Sequence, residues 1–469
     1  MGLDIALNYA LSGLTATQAQ LQVVAGNIAN AQTPGYSEET LPQFSSVATT
    51  GGTAVVTGEI QRATDKGLQG AILGQTTLSS TAATLNTYQQ QVQNLLGQVG
   101  SGNTLADSYN SFTSALQTAA TTPQDPQAQL SAVNAGQQLA NQLNNLSNGV
   151  QSLRQNADTQ IATDVGTLNT QLGAIAQFNT QISQLQALGQ STASLQDQRD
   201  NALTQVASLI SVQSYTRPDG TMVVLSSNGQ SLVDGGNAQT FGYTQSGTVT
   251  AATPLSALTL NGTDVTSKTT TGEIGALLQL RDKALPGLTS QLNQFTNNLF
   301  NLSSTPALGT TNSGLGATND ANHFFAGVDT TSGLDNAATI QVNPSLAANP
   351  ALLDTNAGVP DPTITATLSA NLQGATGFSA AGALPATSTT LGSYVGQVIG
   401  NAATIAAAAT SNASDQSALL TQMQKQYSSV TGVNMDSELS TLVVYQNAYS
   451  ASARVISTIQ SMYQALMAA

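Results

Sequence analysis

The chain has 469 residues, 24 acidic and 10 basic, for a formal net charge of −14. Only 7% of it is charged, against roughly 25% in ordinary soluble proteins, and Gln, Asn, Ser, Thr, Ala and Gly fill the space. Without a basic stripe, phosphate and anionic lipid have no counter-charge; without Cys there are no disulfides or thiolates; a single His, His323, excludes most metal and triad chemistry.

A polar, weakly charged surface repels copies of itself little, so self-contact is tolerated. The start, MGLDIALNYALSGL, has no basic region ahead of its apolar residues, so a cleavable Sec-type leader is not expected. Ala6 argues against myristoylation at Gly2, and no apolar run reaches the length of a membrane span.

At the N-terminus Leu3, Leu7, Ala10, Leu14, Thr17, Leu21, Val24, Ile28 and Ala31 recur at spacings of four and three, along one side of a helix. That helix is expected to stop at Asn30, where Thr33, Pro34, Gly35 and Tyr36 form a sharp turn. Residues 1–60 read as this helix plus an extended linker, and 61–210 as a helical rod rich in Gln and Asn. Within the rod Ile161, Val165, Leu168, Leu172, Ile175, Phe178, Ile182 and Leu185 keep near-heptad spacing.

The texture then changes. Residues 211–270 alternate β-branched runs with turns such as Pro218-Asp219-Gly220 and Asn228-Gly229, a β-rich excursion. Residues 271–305 read as a helix returning toward the rod, interrupted near Pro286, and 306–390 as irregular chain and strands. Residues 391–431 read as a return rod helix. In the last segment, 432–469, a stripe of Leu442, Tyr445, Tyr449, Ser452, Ile456, Ile459, Tyr463 and Leu466 mirrors the first. Val443, Val455, Met462 and Met467 widen it beyond a two-stranded seam, enough for more than one neighbour. The fold class is mainly α with a β-rich excursion: a long, coiled-coil-like rod from the N- and C-terminal parts, whose ends meet, and a central β-rich region.

The search for chemistry returns nothing. His323, with Asp320 and Asp329 near it, reads as a turn histidine beside Phe324 and Phe325 rather than a metal ligand. Asp197, Arg199 and Asp200 in LQDQRDNAL read as solvated helix charges, with Arg199 finding a partner elsewhere. Tyr445, Tyr449 and Tyr463 at helical spacing read as packing. No nucleophile-elbow, P-loop or dinucleotide pattern occurs, so no catalytic, cofactor or metal residue is assigned and no enzyme is expected.

The stretch GNIANAQTPGYS, through Asn27, Asn30, Thr33, Pro34, Gly35 and Tyr36, resembles the N-terminal signature of the flagellar rod, hook and hook-associated axial proteins. GVNMDSELSTLVVYQNAYSASARVISTIQSMYQAL resembles the matching C-terminal signature, through Gly432, Val433, Asn434, Asp436, Glu438, Leu442, Gln446, Tyr449, Ala451, Ala453 and Ile456. The interior blocks SLQDQRDNALTQVASLISVQSYTRPDGTMVVLSSNGQSLVDG, GEIGALLQLRDKALPGLTSQLNQF and HFFAGVDTTSGLDNAATIQVNPSLAANP are similar to the hook-associated protein 1 family. Ser37-Glu38-Glu39 departs from the Ser-Arg-Gln common in the family, and the interior is short for it.

The resemblance implies a structural adaptor of the bacterial flagellum. It would assemble as a ring of copies at the distal end of the hook and join it to the filament through a second junction protein. The alternative is another axial protein: hook, distal rod or the second junction protein itself. The implied partners are copies of the chain, the hook protein, the second junction protein, an export chaperone on the C-terminal helix and the flagellar type III export apparatus. Neither nucleic acid nor membrane is among them. The implied location is the extracellular flagellum, reached without a cleaved signal peptide. The two stripes would act as assembly surfaces in an inner helical layer, with no partner inside the monomer and therefore no order until neighbours bury them. Asn27, Asn30 and Tyr36 would offer polar and ring contacts to neighbouring subunits.

Overall fold

The computed structural model describes residues 2–48, 52–97, 102–304, 323–329, 335–356 and 359–468. Helix α1 (Gly2–Asn30) is followed by β1 (Glu39–Thr40), the hairpin β2 (Gln43–Ala48) and β3 (Gly52–Thr57), and β4 (Gln61–Arg62), which pairs back on β1. Four helices come next: α2 (Lys66–Leu96), α3 (Leu105–Thr121), α4 (Pro126–Ala187) and α5 (Ala193–Leu209). Strands β5 (Val212–Thr216), β6 (Met222–Ser226), β7 (Ser231–Asp234) and β8 (Asn237–Ala238) form an antiparallel meander in that spatial order. Helix α6 (Gly272–Gln279) passes through a π-helical turn at Leu280–Ala284 into α7 (Leu285–Leu302). Helices α8 (Asn336–Thr339), α9 (Pro344–Ala348) and α10 (Thr363–Gln373) stand among short strands, and α11 (Leu391–Thr431) and α12 (Met435–Ala468) end the chain.

Local chemistry sets these boundaries. Thr104 and Asp107 form a reciprocal capping box at the start of α3, with Asp107 N–H donating to Thr104 Oγ1 at 3.1 Å and Thr104 N–H to Asp107 Oδ2 at 2.9 Å. Pro126 occupies the first position of α4, where its missing N–H costs nothing, and Asp125 Oδ1 accepts from Gln127 N–H at 2.9 Å. At 62 residues α4 is about 90 Å long. Its three-four stripe is sealed at Ile161, Val165, Leu168, Leu172, Ile175 and Ile182, while Phe178 and Leu185 are half-buried. The protein is thus mainly α with a β-containing centre.

The chain divides into two compact units. The first comprises residues 1–79, 166–241 and 416–469. In it the meander is tied to α4 by Asn179, whose amide donates to Met222 O and Gly235 O at 2.8 Å each and accepts from Met222 N–H at 2.8 Å. The second unit, residues 80–165 and 242–415, holds one large apolar core. Phe112 lies against Phe324 and Phe325 with ring centroids 5.0 and 5.5 Å apart, and Phe378 stacks on Tyr394 at 3.7 Å. A Cβ on Gly136 would stand 2.4 Å from the Phe324 ring, so only glycine lets that ring approach α4.

The described part of 306–390 departs from the irregular-and-strand expectation. It carries α8, α9 and α10, and it supplies Ile340, Leu353, Ile364, Leu368 and Leu372 to the core. The large apolar residues of TITATLSANLQ, Ile364, Leu368 and Leu372, fall four positions apart, but its Thr content masked the period as β texture. Residues 305–322, including Asp320, lie outside the described residues. His323 stacks on Phe300 with ring centroids 3.9 Å apart.

Two buried polar clusters hold the second unit. Asp158, with no exposed surface, accepts from the Tyr243 hydroxyl and from Ser246 N–H at 2.8 Å, and stands 3.4 Å from Arg281 Nη1. Arg281 also meets Asp282 at 2.7 Å and donates to Ser256 O at 3.0 Å, which fastens the chain between 243 and 256 to α4. Separately, Asp164 accepts from Gln160 Nε2 at 2.8 Å through one carboxylate oxygen, while the other has no donor. Burial, with Glu273 nearby, pushes the Asp164 carboxyl up to about 7; burial likewise raises Glu273, and burial beside Asp164 raises Tyr88 to about 12.

Candidate functional site

The two ends of the chain pack together inside the first unit. Helix α1 lies along α12, with the Tyr463 hydroxyl donating to the Asp4 carboxylate and Ser452 passing close to Gly13. On α1, Val24 is buried beside Ala16, Thr17 and Val23, and Leu7, Leu14, Leu21 and Ile28 are half-buried. Leu3 is in the helix, but its side chain lies outside the described residues. On α12 Ile459 is buried and Leu442, Tyr445, Ile456 and Tyr463 are half-buried.

Two expectations need correcting here. The stripes do have an internal partner, each other, because both are apolar at matching spacing and the fold brings the ends together. Tyr449 and Leu466 fall outside the seam, Leu466 being 69% exposed. Leu466 joins Val444, Val455 and Met462 on an uncovered apolar face of α12, within about 40° of one another at about 100° per residue, while Val443, Tyr449 and Met467 are exposed at other angles. Of the widening residues, Val455 and Met462 therefore belong to a second surface, not a thicker seam.

The signature turn closes over the base of this helix pair. Thr33 N–H donates to Asn30 O at 2.8 Å and Tyr36 N–H to Thr33 O at 3.2 Å, while Asn30 Nδ2 turns back to Gly26 O at 3.0 Å. Asn27 is 1% exposed and fully employed within the chain. Its Oδ1 accepts from the Tyr36 hydroxyl at 2.8 Å and from Glu39 N–H at 3.0 Å, and its Nδ2 donates to Glu39 O at 2.9 Å. Asn27 and Tyr36 thus spend their polar atoms locking the turn rather than offering them to neighbours. A buried amide can reproduce a strand's pairing pattern, which is why Asn serves here.

Gly35 has φ +80°, and a Cβ there would lie 2.3 Å from Asn201 Oδ1 of α5. Gly35→Ala is expected to destabilise the first unit by about 1–3 kcal/mol through left-handed strain and the displaced Asn201. Thermal denaturation checks this, and an unchanged midpoint would refute the close fit.

Downstream of the turn the chain is clamped from both sides. Glu38 N–H donates to Thr431 O at 2.8 Å, at the end of α11, and Ser37 N–H approaches Asp197 Oδ2 at 3.5 Å. Arg62 lies opposite Glu39 in the β1–β4 ladder. Its Nη2 meets Asp200 at 2.6 Å and its Nε stands 2.9 Å from Asp197 as an ion pair off the line of a hydrogen bond. Burial raises the Asp197 carboxyl above its ordinary range although Arg62 opposes it; burial also raises Glu39, Glu438 and the Tyr36 phenol. Asn434 caps α12, its Oδ1 accepting from Asp436 N–H at 3.1 Å, and sets buried Glu438 beside Asn27.

The LQDQRD block is therefore not a run of solvated charges. Asp197 and Asp200 face Arg62, and Arg199 is buried, donating to Asn179 Oδ1 at 3.0 Å and Gly220 O at 2.7 Å. Arg62 and Asn179 carry this site without any local signal in the sequence, since each acts on residues more than a hundred or some forty positions away. The one usable hint was the rarity of charge: in a chain this neutral, two carboxylates and an arginine within four residues call for partners. Among the described residues no group of three His, Asp or Glu could hold a metal ion. Among them, too, no helix is long and apolar enough to cross a membrane.

Residues 89–314 match the family described as "Flagellar hook-associated protein FlgK helical domain". Residues 7–36 match "Flagella basal body rod protein" and residues 424–469 match "Flagellar basal body rod FlgEFG protein C-terminal", the two segments that carry the paired terminal helices. The chain thus carries the helical domain of the FlgK-type flagellar hook-associated proteins. Proteins of this family are structural parts of the flagellum and not enzymes.

The chain is 26% identical over 298 residues to flagellar hook-associated protein 1 of Salmonella typhimurium, and equally to that of Salmonella typhi, covering 61% of this chain and 54% of the relative. The Escherichia coli protein of the same name is 24% identical over the same length. The chain spans about half the length of these relatives. Among solved structures, the flagellar hook junction protein FlgK from Burkholderia pseudomallei is 27% identical over 55% of this chain and 46% of that one, with a TM-score of 0.45.

Proposed function

We propose that the chain is a non-enzymatic adaptor at the junction of hook and filament, where copies of it assemble side by side into a ring. The observation that carries this is the division of labour on α12. One face is closed by α1, while Val444, Val455, Met462 and Leu466 leave a second apolar face uncovered along the same helix. Such a patch on a chain with 7% charge favours contact with helices of neighbouring subunits.

In this reading Leu7, Leu14, Leu21, Val24 and Ile28 with Leu442, Tyr445, Ile456, Ile459 and Tyr463 hold the pair. The outer face of α12 joins it to copies, to the hook protein and to the second junction protein. Before assembly the same face is what an export chaperone would cover, and export runs through the flagellar type III apparatus to the extracellular flagellum. The turn from Asn27 to Tyr36 sets the angle at which the chain leaves the helix pair.

The double substitution Val444→Asp and Val455→Asp tests this. Both residues are exposed, so the purified variant is expected to keep wild-type circular dichroism and melting. Cells carrying it are expected to build hooks but lose filament attachment. Normal filaments with this variant would refute the role of the outer face.

A further inference from the structure

The edge of the small sheet in the first unit has no part in that reading. Strand β5 pairs with β6 on one side and, among the described residues, with no strand on the other. Arg217 N–H donates to Thr221 O at 2.8 Å, whereas Met222, opposite Thr216, gives both backbone groups to Asn179. Antiparallel pairs alternate between bonded and non-bonded. The N–H and C=O groups of Val212, Ser214 and Thr216 therefore point away from β6, out of the free edge.

Beside that edge runs a groove of about 410 Å³, with Lys66, Gly70 and Leu73 of α2 on one wall and Arg62, Arg199 and Asp200 among the residues opposite. Three of the ten basic residues of an acidic chain line this one groove. Arg62 is met by Asp197 and Asp200. Among the described residues no carboxylate stands within ion-pair distance of Lys66 or Arg199. Arg199 is 3% exposed, spends Nη1 on Asn179 and Gly220, and leaves Nε without a hydrogen-bond partner. A buried guanidinium in that state is costly until an anion reaches it.

We propose that this groove docks an extended acidic peptide segment of a partner protein, which adds to β5 as a fifth strand and sets a carboxylate against Lys66 and Arg199. Backbone pairing at Ser214 and Thr216 supplies affinity, and the cations supply the preference for acid. Neither terminal helix takes part, so this docking stands apart from the junction role.

The test uses the full chain, isotopically labelled, titrated with the blocked peptide Thr-Val-Glu-Val-Thr, its Gln counterpart, and inorganic phosphate. The Glu peptide is expected to shift the amide signals of 212–216 and the Arg199 Nε–H. Lys66→Glu is expected to weaken it about tenfold. Ser214→Pro removes an N–H that the sheet does not use, so it is expected to abolish strand addition at an unchanged melting temperature. Equal binding of the Gln peptide, undiminished binding by Ser214→Pro, or the same shifts with phosphate alone (an adventitious ion only) would each overturn the proposal. So would shifts at 212–216 that follow the concentration of the protein alone, which would assign the edge to a second copy.

Discussion

Asp158→Ala is expected to destabilise the second unit by about 3–5 kcal/mol, the cost of breaking a buried ion pair from one side. Asp158 has no exposed surface, and three groups converge on it: the Tyr243 hydroxyl, Ser246 N–H and Arg281, itself 2% exposed. Truncation leaves Arg281 with Asp282, whose side chain is one-third exposed, and strands the other two donors. The midpoint of thermal unfolding for this unit is expected to fall by roughly 10 °C. A shift below about 2 °C would mean that the segment 243–256 is held by other contacts. Asp158→Asn, which keeps an acceptor oxygen but not the charge, is expected to fall between the two.

Asp164→Asn is expected to change the pH dependence of stability more than stability itself. The folded carboxyl sits near 7, well above the ordinary carboxylate value of 3.8, because burial disfavours the charge and Glu273 adds to it. A raised folded value means that the folded state holds the proton more tightly than the unfolded chain. The stabilising contribution of the neutral carboxyl is thus full below about pH 4 and lost as pH rises through 7. A carboxyl moved from 3.8 to about 7 corresponds to about 4 kcal/mol at most, reduced by whatever water reaches the site. The wild-type protein is expected to melt lower at about pH 8 than at about pH 5.5. Asn keeps the bond from Gln160 and carries no charge, so the variant is expected to gain a few kcal/mol at the higher pH and about half as much at the lower. Parallel curves for the two proteins would place the charge elsewhere. Glu273, raised by the same burial, leaves part of the slope in the variant.

Periodicity made the helices legible. The stripes of α1 and α12 could be read at nearly their observed ends, because capping and apolar spacing are local properties, whereas the rod expected over 61–210 showed the stripe of α4 but not where that helix begins and ends. Partnership was harder to read. That the end stripes close on each other follows from two matching apolar seams in one chain, but which of Tyr449, Ile459 and Leu466 lies inside depends on helix rotation, and a stripe wider than one seam leaves that open. The polar site was the least legible part. Asn27 reads as a surface amide until a strand edge at Glu39 is laid beside it, and Asp197 and Asp200 read as solvated until Arg62 arrives from more than 130 residues upstream. In the described part of 306–390, Thr-rich helices were hidden by composition, since Thr is common to strands, turns and helices alike.

The meeting of Asp4 with Tyr463 also fixes an order of events in time. Helix α1 is synthesised long before its partner α12, so it waits without that partner until the turn carrying Tyr463 exists. Closing so long a loop is slow compared with the local folding of α3 or α4. Throughout that interval Leu7, Leu14, Leu21 and Ile28 are bare, and this stripe is most adhesive before α12 is in place. Making α12 and covering the stripe of α1 are the same act.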